Sequence, residues 1–174
     1  GKPSGIRTTE AKYWTYFIQD EECFTISTKR LREKLVKLKP RRVPGGDNNT
    51  SIGYEALGGN TTADNNTAVG YQALVANTTA DYNTAVGAYA LDANTTGPQN
   101  TAVGYQALTT ATTASSNTVV GSYAAGLTTT GQYNAVLGQA ALYTNTTGDN
   151  NTAIGFKSLY LATTANNNTA VGYE

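Results

Sequence analysis

The chain has 174 residues, of which 14% are charged and 39% hydrophobic, and twelve Lys/Arg balance twelve Asp/Glu. That composition excludes a solvated disordered chain, and the lack of a run of roughly 18 apolar residues excludes a membrane-spanning helix. With no histidine and one cysteine, Cys23, the usual zinc, Ser-His-Asp and Cys-His sites are excluded, and so is an internal disulfide.

The zero net charge hides two regions. Residues 1–46 hold 11 of the 12 Lys/Arg and 5 of the 12 acids, whereas residues 47–174 hold one Lys and seven acids. A basic N-terminal attachment or oligomerisation segment, 1–46, therefore joins an acidic region, 47–174, near Pro44, Gly45 and Gly46. No secretory leader is expected at the N-terminus.

Tyr13–Gln19 and Cys23–Thr28 read as two short β runs, with a turn at Asp20, Glu21 and Glu22. Cys23 reads as a small buried apolar residue. From Ser27 or Thr28 to Pro40 the pattern predicts a helix, capped by a hydroxyl and stopped by the proline. Leu31, Leu35 and Leu38 fall on one of its faces. Trp14, Tyr13, Tyr16 and Phe17 form either a small core, the favoured reading, or a docking surface. The basic run from Lys29 through Arg41 and Arg42 reads first as a solvated face beside a linker, and second as a site for an anionic partner. Trp14, Phe17, Leu31, Leu35, Leu38, Arg41 and Arg42 are the candidate anchoring residues of this segment.

From Asn49 the sequence repeats. The words NTSIG (Asn49), NTAVG (Asn66, Asn83, Asn100), NTVVG (Asn117), NAVLG (Asn134), NTAIG (Asn151) and NTAVG (Asn168) recur at a constant step of seventeen, without insertion or deletion. Two-helix repeats and propeller blades need longer units, so the step implies one coil of a parallel β-solenoid per unit, rungs about 4.8 Å apart. Counting each unit from its Asn, position four is aliphatic: Ile52, Val69, Val86, Val103, Val120, Leu137, Ile154 and Val171. Position nine is leucine at Leu57, Leu74, Leu91, Leu108, Leu142 and Leu159, with Ala125 the exception. These two sets are expected to form interior stacks. Position five is always glycine (Gly53, Gly70, Gly87, Gly104, Gly121, Gly138, Gly155, Gly172), expected to supply a backbone conformation closed to other residues, or close chain contact.

The Asn at position one is expected to tolerate a left-handed backbone or to stack its amides. Thr at positions thirteen and fourteen is expected to place one side chain inward and one outward. Tyr54, Tyr71, Tyr89, Tyr105, Tyr123, Phe156 and Tyr173 form an aromatic file, read first as inter-chain packing and second as a surface for carbohydrate or receptor. Asp64, Asp81 and Asp149 read as solvated turn acids. The Asn-x-Thr sequons read as by-products of the repeat rather than glycan acceptors. One large aliphatic pair per unit underfills a lone coil, so a homotrimer is expected.

TTGDNNTAIG and TTADNNTAVGYQAL resemble the head repeats of trimeric autotransporter adhesins, and more closely the long arrays of phage and viral tail fibres. The resemblance covers Asp47–Glu174 and implies a trimeric parallel β-roll or β-helix serving as a surface or virion fibre. It matches Val69, Val86 and Val103 to the family's buried aliphatic, and Gly70, Gly87 and Gly104 to its closing glycine. The unit here is longer than the adhesin unit.

The expected protein is thus all-β and structural, not an enzyme, and needs no cofactor. It is a fibre shaft on a virion or cell surface, joined to an anchor protein through 1–46, with a host glycan or receptor as a further partner and no nucleic acid. A bacterial adhesin or filament subunit is the alternative, and an ice-binding solenoid the more remote one.

Overall fold

The computed structural model of the protein describes residues 46–173 and, before them, the backbone of residues 13–17 and 23–27. The chain divides into two units, Gly1–Arg42 and Val43–Glu174. In the first unit, β1 (Tyr13–Phe17) pairs with β2 (Cys23–Ser27) antiparallel, Thr15 opposite Thr25. The expected helix, with Leu31, Leu35, Leu38, Arg41 and Arg42, and the turn at Asp20 lie outside the described residues. So do the side chains of Trp14 and Phe17.

The second unit is a parallel β-solenoid. Its strands are β3 (Thr50–Ile52), β4 (Thr67–Val69), β5 (Thr84–Val86), β6 (Thr101–Val103), β7 (Thr118–Val120), β8 (Ala135–Leu137), β9 (Thr152–Ile154) and β10 (Thr169–Val171). They stack in sequence order into one sheet, each residue opposite its equivalent in the next unit: Val69 pairs with Val86 and Val86 with Val103. No helix occurs among the described residues.

The strands are short, yet hydrogen bonds between rungs continue around the contour. The N–H of Thr50 donates to the carbonyl of Asn66, Leu57 to Ala73, Thr61 to Thr78, and Asn65 back to Asp47. Pairing most of the main chain in this way meets its hydrogen-bonding demand without long strands.

The coil closes through left-handed residues. Leucines at position nine have φ between 50 and 52°, and position seven is also left-handed, whether it holds Glu55, Tyr89 or Lys157. A left-handed conformation costs a non-glycine residue about 1–2 kcal/mol. The leucine offsets this by burying its side chain, worth about 1.5–3 kcal/mol, and by donating its N–H to the next rung. At position five only glycine fits. Gly104 has φ 139°, and a Cβ there would stand 2.5 Å from the carbonyl oxygen of Gly121.

The interior is narrow. It is lined by the small residue of position three (Ala68, Ala85, Ala102, Val119, Val136, Ala153), the alanine of position eight, the leucine of position nine and the small residue of position fifteen. Leu57, Leu74, Leu91, Leu108 and Leu142 are fully buried, and Leu159 is partly buried. The aliphatics of position four are not interior, which corrects the reading of the sequence. Ile52 is 61% exposed and Leu137 52%; Val86, Ile154 and Val171 are also exposed, while Val69, Val103 and Val120 are half-buried. The cause is strand alternation: in Thr-Ala-Val, positions two and four share one face and position three takes the other. The coil has room for alanine on its inner face, so the larger aliphatic points out.

Buried asparagines recur at two positions: at position one in an unbroken file, and at position twelve as Asn60, Asn77, Asn94 and Asn145. At position one, the Oδ1 of Asn83 accepts the main-chain N–H of Asn100 at 2.9 Å and the Nδ2–H of Asn100 at 3.2 Å. The Nδ2 of Asn100 also donates to the carbonyl of Ala114, closing its own coil. Asn100 thus closes one rung and hangs the next, and Asn66, Asn117, Asn134 and Asn151 do the same. The amide ladder is the device at this position; the left-handed residue is the one before it, as at Asn65 and Asn150. At position twelve, Asn94 accepts the N–H of Gly97 and donates to its carbonyl, a local loop.

Candidate functional site: the outer aliphatic and aromatic strip

With the interior filled by small residues, the larger apolar side chains of positions four and six stand outside, on either side of the glycine file. Tyr54, Tyr71, Tyr105 and Phe156 are exposed. Their rings follow the rung spacing: Tyr54 stacks on Tyr71 at 5.3 Å, Tyr71 meets Tyr89 edge-on at 5.3 Å, Tyr89 meets Tyr105 at 6.2 Å, and Tyr105 meets Tyr123 at 5.2 Å. These are favourable aromatic separations. Burial in the stack, followed by neighbouring Tyr71 and Tyr105, raises the pKa of Tyr89 above the ordinary phenol value. Burial and Tyr105 do the same for Tyr123. The file then breaks: position six is Gln139 and position seven Ala140, and stacking resumes only between Phe156 and Tyr173.

Two other outer files take part in the coil's own bonds. The Thr hydroxyls of position thirteen donate to the carbonyl of the same position one rung on, as Thr78 does to Thr95 and Thr146 to Thr163. Neither Thr file is interior, a second correction; Thr62, Thr79, Thr96 and their equivalents at position fourteen lie exposed. The turn acids accept main-chain N–H groups: Asp81 from Asp64 at 2.7 Å, and Asp149 from Gln132 at 2.7 Å. Among the described residues no three His, Cys, Asp or Glu side chains are grouped to hold a metal ion. The sequon asparagines Asn60, Asn77, Asn94 and Asn145 are buried, whereas Asn65 and Asn150 are exposed.

Asp92, at position ten, accepts the Thr109 hydroxyl at 2.7 Å. Burial raises its pKa, against the lowering effect of that hydroxyl and of nearby main-chain N–H groups.

Sequence reasoning missed the inward role of position three. Its signal was present: threonine at position two shares a face with position four, and a face carrying a regular file of threonines is a solvent face. The altered inner pair in the rung of Asn117 was also missed. There Val119 replaces the usual alanine where Ala125 replaces the usual leucine, and both are buried. The next rung buries Val136 and Leu142 at the same two positions, so the inner face accepts valine with either alanine or leucine.

The architecture defines a parallel β-solenoid protein with one repeat unit per coil. Comparison of the chain with protein-family models, with curated proteins and with solved structures finds no match. The likeness to adhesin heads and tail fibres therefore rests on the repeated words alone.

Proposed function

We propose that the protein is a structural fibre subunit, a phage or viral fibre shaft that associates as a homotrimer through the outer strip and is anchored to a virion or cell-surface partner by residues 1–46. The observation that carries this reading is the strip itself. Ile52, Val86, Leu137 and Ile154 belong to an unbroken aliphatic file, flanked by the rings of Tyr54, Tyr71, Tyr105 and Phe156, outside a coil whose inside holds at most one leucine per rung. Apolar strips of that extent mark contact surfaces, and sister coils laid along them would bury what a single coil leaves wet. The repeated words, similar to those of tail fibres, support the same reading.

Light scattering of the purified chain tests it. The expected result is a mass of three chains that resists SDS; a monodisperse monomer overturns the proposal. A bacterial adhesin or filament subunit is the second reading, supported by the adhesin-like words. Finding the native protein in virions excludes it.

A further inference from the structure

Outside the coil, one rung differs from all the others at four positions together. In the rung of Asn134, position two is Ala135 where every other unit has threonine. Position four is Leu137 where the others have valine or isoleucine, and positions six and seven, Gln139 and Ala140, carry no ring. Inside, Asn134, Ala141 and Leu142 keep the usual residues of the repeat. Leu137 stands out from its strand at 52% exposure, whereas Val103 and Val120 on the two preceding rungs are half-buried. Where the ring is missing there is an open cleft of about 270 Å³, lined by Tyr123, Ala140, Tyr143, Lys157 and Tyr160. One rung thus carries both the one leucine of the aliphatic file and the one gap in the aromatic file.

The lining decides what can fill the cleft. Tyr143 and Tyr160 stack on each other at 5.5 Å, so their facing sides are taken. The Nζ of Lys157 lies 5.6 Å from the centre of the Phe156 ring and 5.1 Å from that of Tyr160, so its charge is engaged within the coil. A flat ring or an acid therefore gains little here. What remains is apolar: the Ala140 methyl, ring edges and the methylenes of Lys157. The volume lies below the roughly 300 Å³ at which sites for drug-sized ligands begin, and it admits an aliphatic side chain. Leucine branches one carbon further out than valine or isoleucine, so Leu137 is the member of the aliphatic file best shaped to reach into a recess. We propose that the cleft receives Leu137 of a second copy of the chain, and that this knob fixes the register of association by bringing the rung of Asn134 onto its own equivalent. A slip of one rung would set Leu137 against a rung that carries Tyr123 or Phe156, an overpacked contact. The lock rests on the chain association proposed above and adds its register.

Paired cysteine variants of the full chain, built on Cys23→Ser, test the lock. Chains carrying Leu137→Cys are co-expressed with differently tagged chains carrying Ala140→Cys, and a short thiol cross-linker is added. A cross-linked pair bearing both tags is expected. Leu137→Cys with Gln106→Cys, at the same position seven two rungs away, should give none. Size variants supply a second readout. Ala140→Tyr fills the cleft while preserving the fold, because Tyr89 and Tyr123 occupy this position with φ 58 and 59°, close to the 53° of Ala140. It should weaken association by about tenfold or more and leave the unfolding of an isolated chain unchanged. Leu137→Ala added to Ala140→Tyr should restore part of the association, since no knob then meets the ring. Capture at Gln106 equal to that at Ala140, no capture at Ala140 in chains that light scattering shows to be associated, or no recovery in the double variant would each overturn the lock alone. A monodisperse monomer would overturn the association and the lock together, so the two failures are told apart.

Discussion

The inside and the outside of this coil are written under different rules. Inside, position one is asparagine in every rung and position three is never larger than valine. Outside, position seven holds Glu55, Gln72, Tyr89, Gln106, Tyr123, Ala140 and Lys157 on the same left-handed backbone. An inner side chain must satisfy its own rung and the next one in a space closed to water, so nearly every substitution is felt. An outer side chain meets solvent or a partner, and the main-chain ladder holds whatever it is. Constancy therefore marks the parts of the repeat that build the coil, and variation marks the surface that is free to recognise something.

Substitutions at matched rungs sharpen that contrast. The largest effect is expected at Asn100→Ala. It strips the N–H of Asn117 and the carbonyl of Ala114 of buried partners, at about 1–3 kcal/mol each. Amide hydrogen exchange should accelerate at these two rungs before others, and an unchanged protection pattern would break the contrast. Leu108→Ala follows, at about 2–5 kcal/mol for a buried leucine, read from denaturant unfolding. Ala125→Leu should be tolerated, costing well under the about 2–5 kcal/mol of Leu108→Ala, because the next rung buries Val136 and Leu142 at the same two positions. A loss as large as that of Leu108→Ala would sink the argument that the inner face accepts both pairings.

Outside, Val103→Ser should change the stability of an isolated chain by about 0.5 kcal/mol or less, yet weaken any assembly that forms over it. Measuring unfolding and mass together separates the two effects. The smallest effect, of opposite sign, belongs to Asp92. Its folded pKa is raised above the unfolded value, so between those values the folded state binds more protons. Stability therefore falls as pH rises through that window and stays lower at neutral pH. Asp92→Asn, which keeps an acceptor for Thr109, should raise neutral stability slightly and flatten the acid limb of the stability–pH curve.

Much of this architecture is legible in the chain alone. An unbroken, constant step forces identical positions into register, and the pairing of Val69 with Val86 is its direct result. Which aliphatic faces in is misread when size is weighed above alternation: Val103 is larger than Ala102, but only Ala102 fits the narrow inner face. The double use of Asn100 is half legible. A stacked amide follows from its constancy, but closure onto Ala114 depends on a left-handed path that no propensity predicts for Leu108. The opening that Ala140 lines with Tyr123, Tyr143, Lys157 and Tyr160 is not legible, because an alanine in a variable position carries no signal until its neighbours are placed.

The asparagine that hangs each rung on the last also governs length. Because every joint is nearly the same joint, excising or duplicating one whole unit leaves two ends that already match. Such a coil can be lengthened or shortened by unequal exchange within its own coding sequence, in increments of about 4.8 Å. Its length is then a heritable quantity that varies in steps, without any new interface having to be invented.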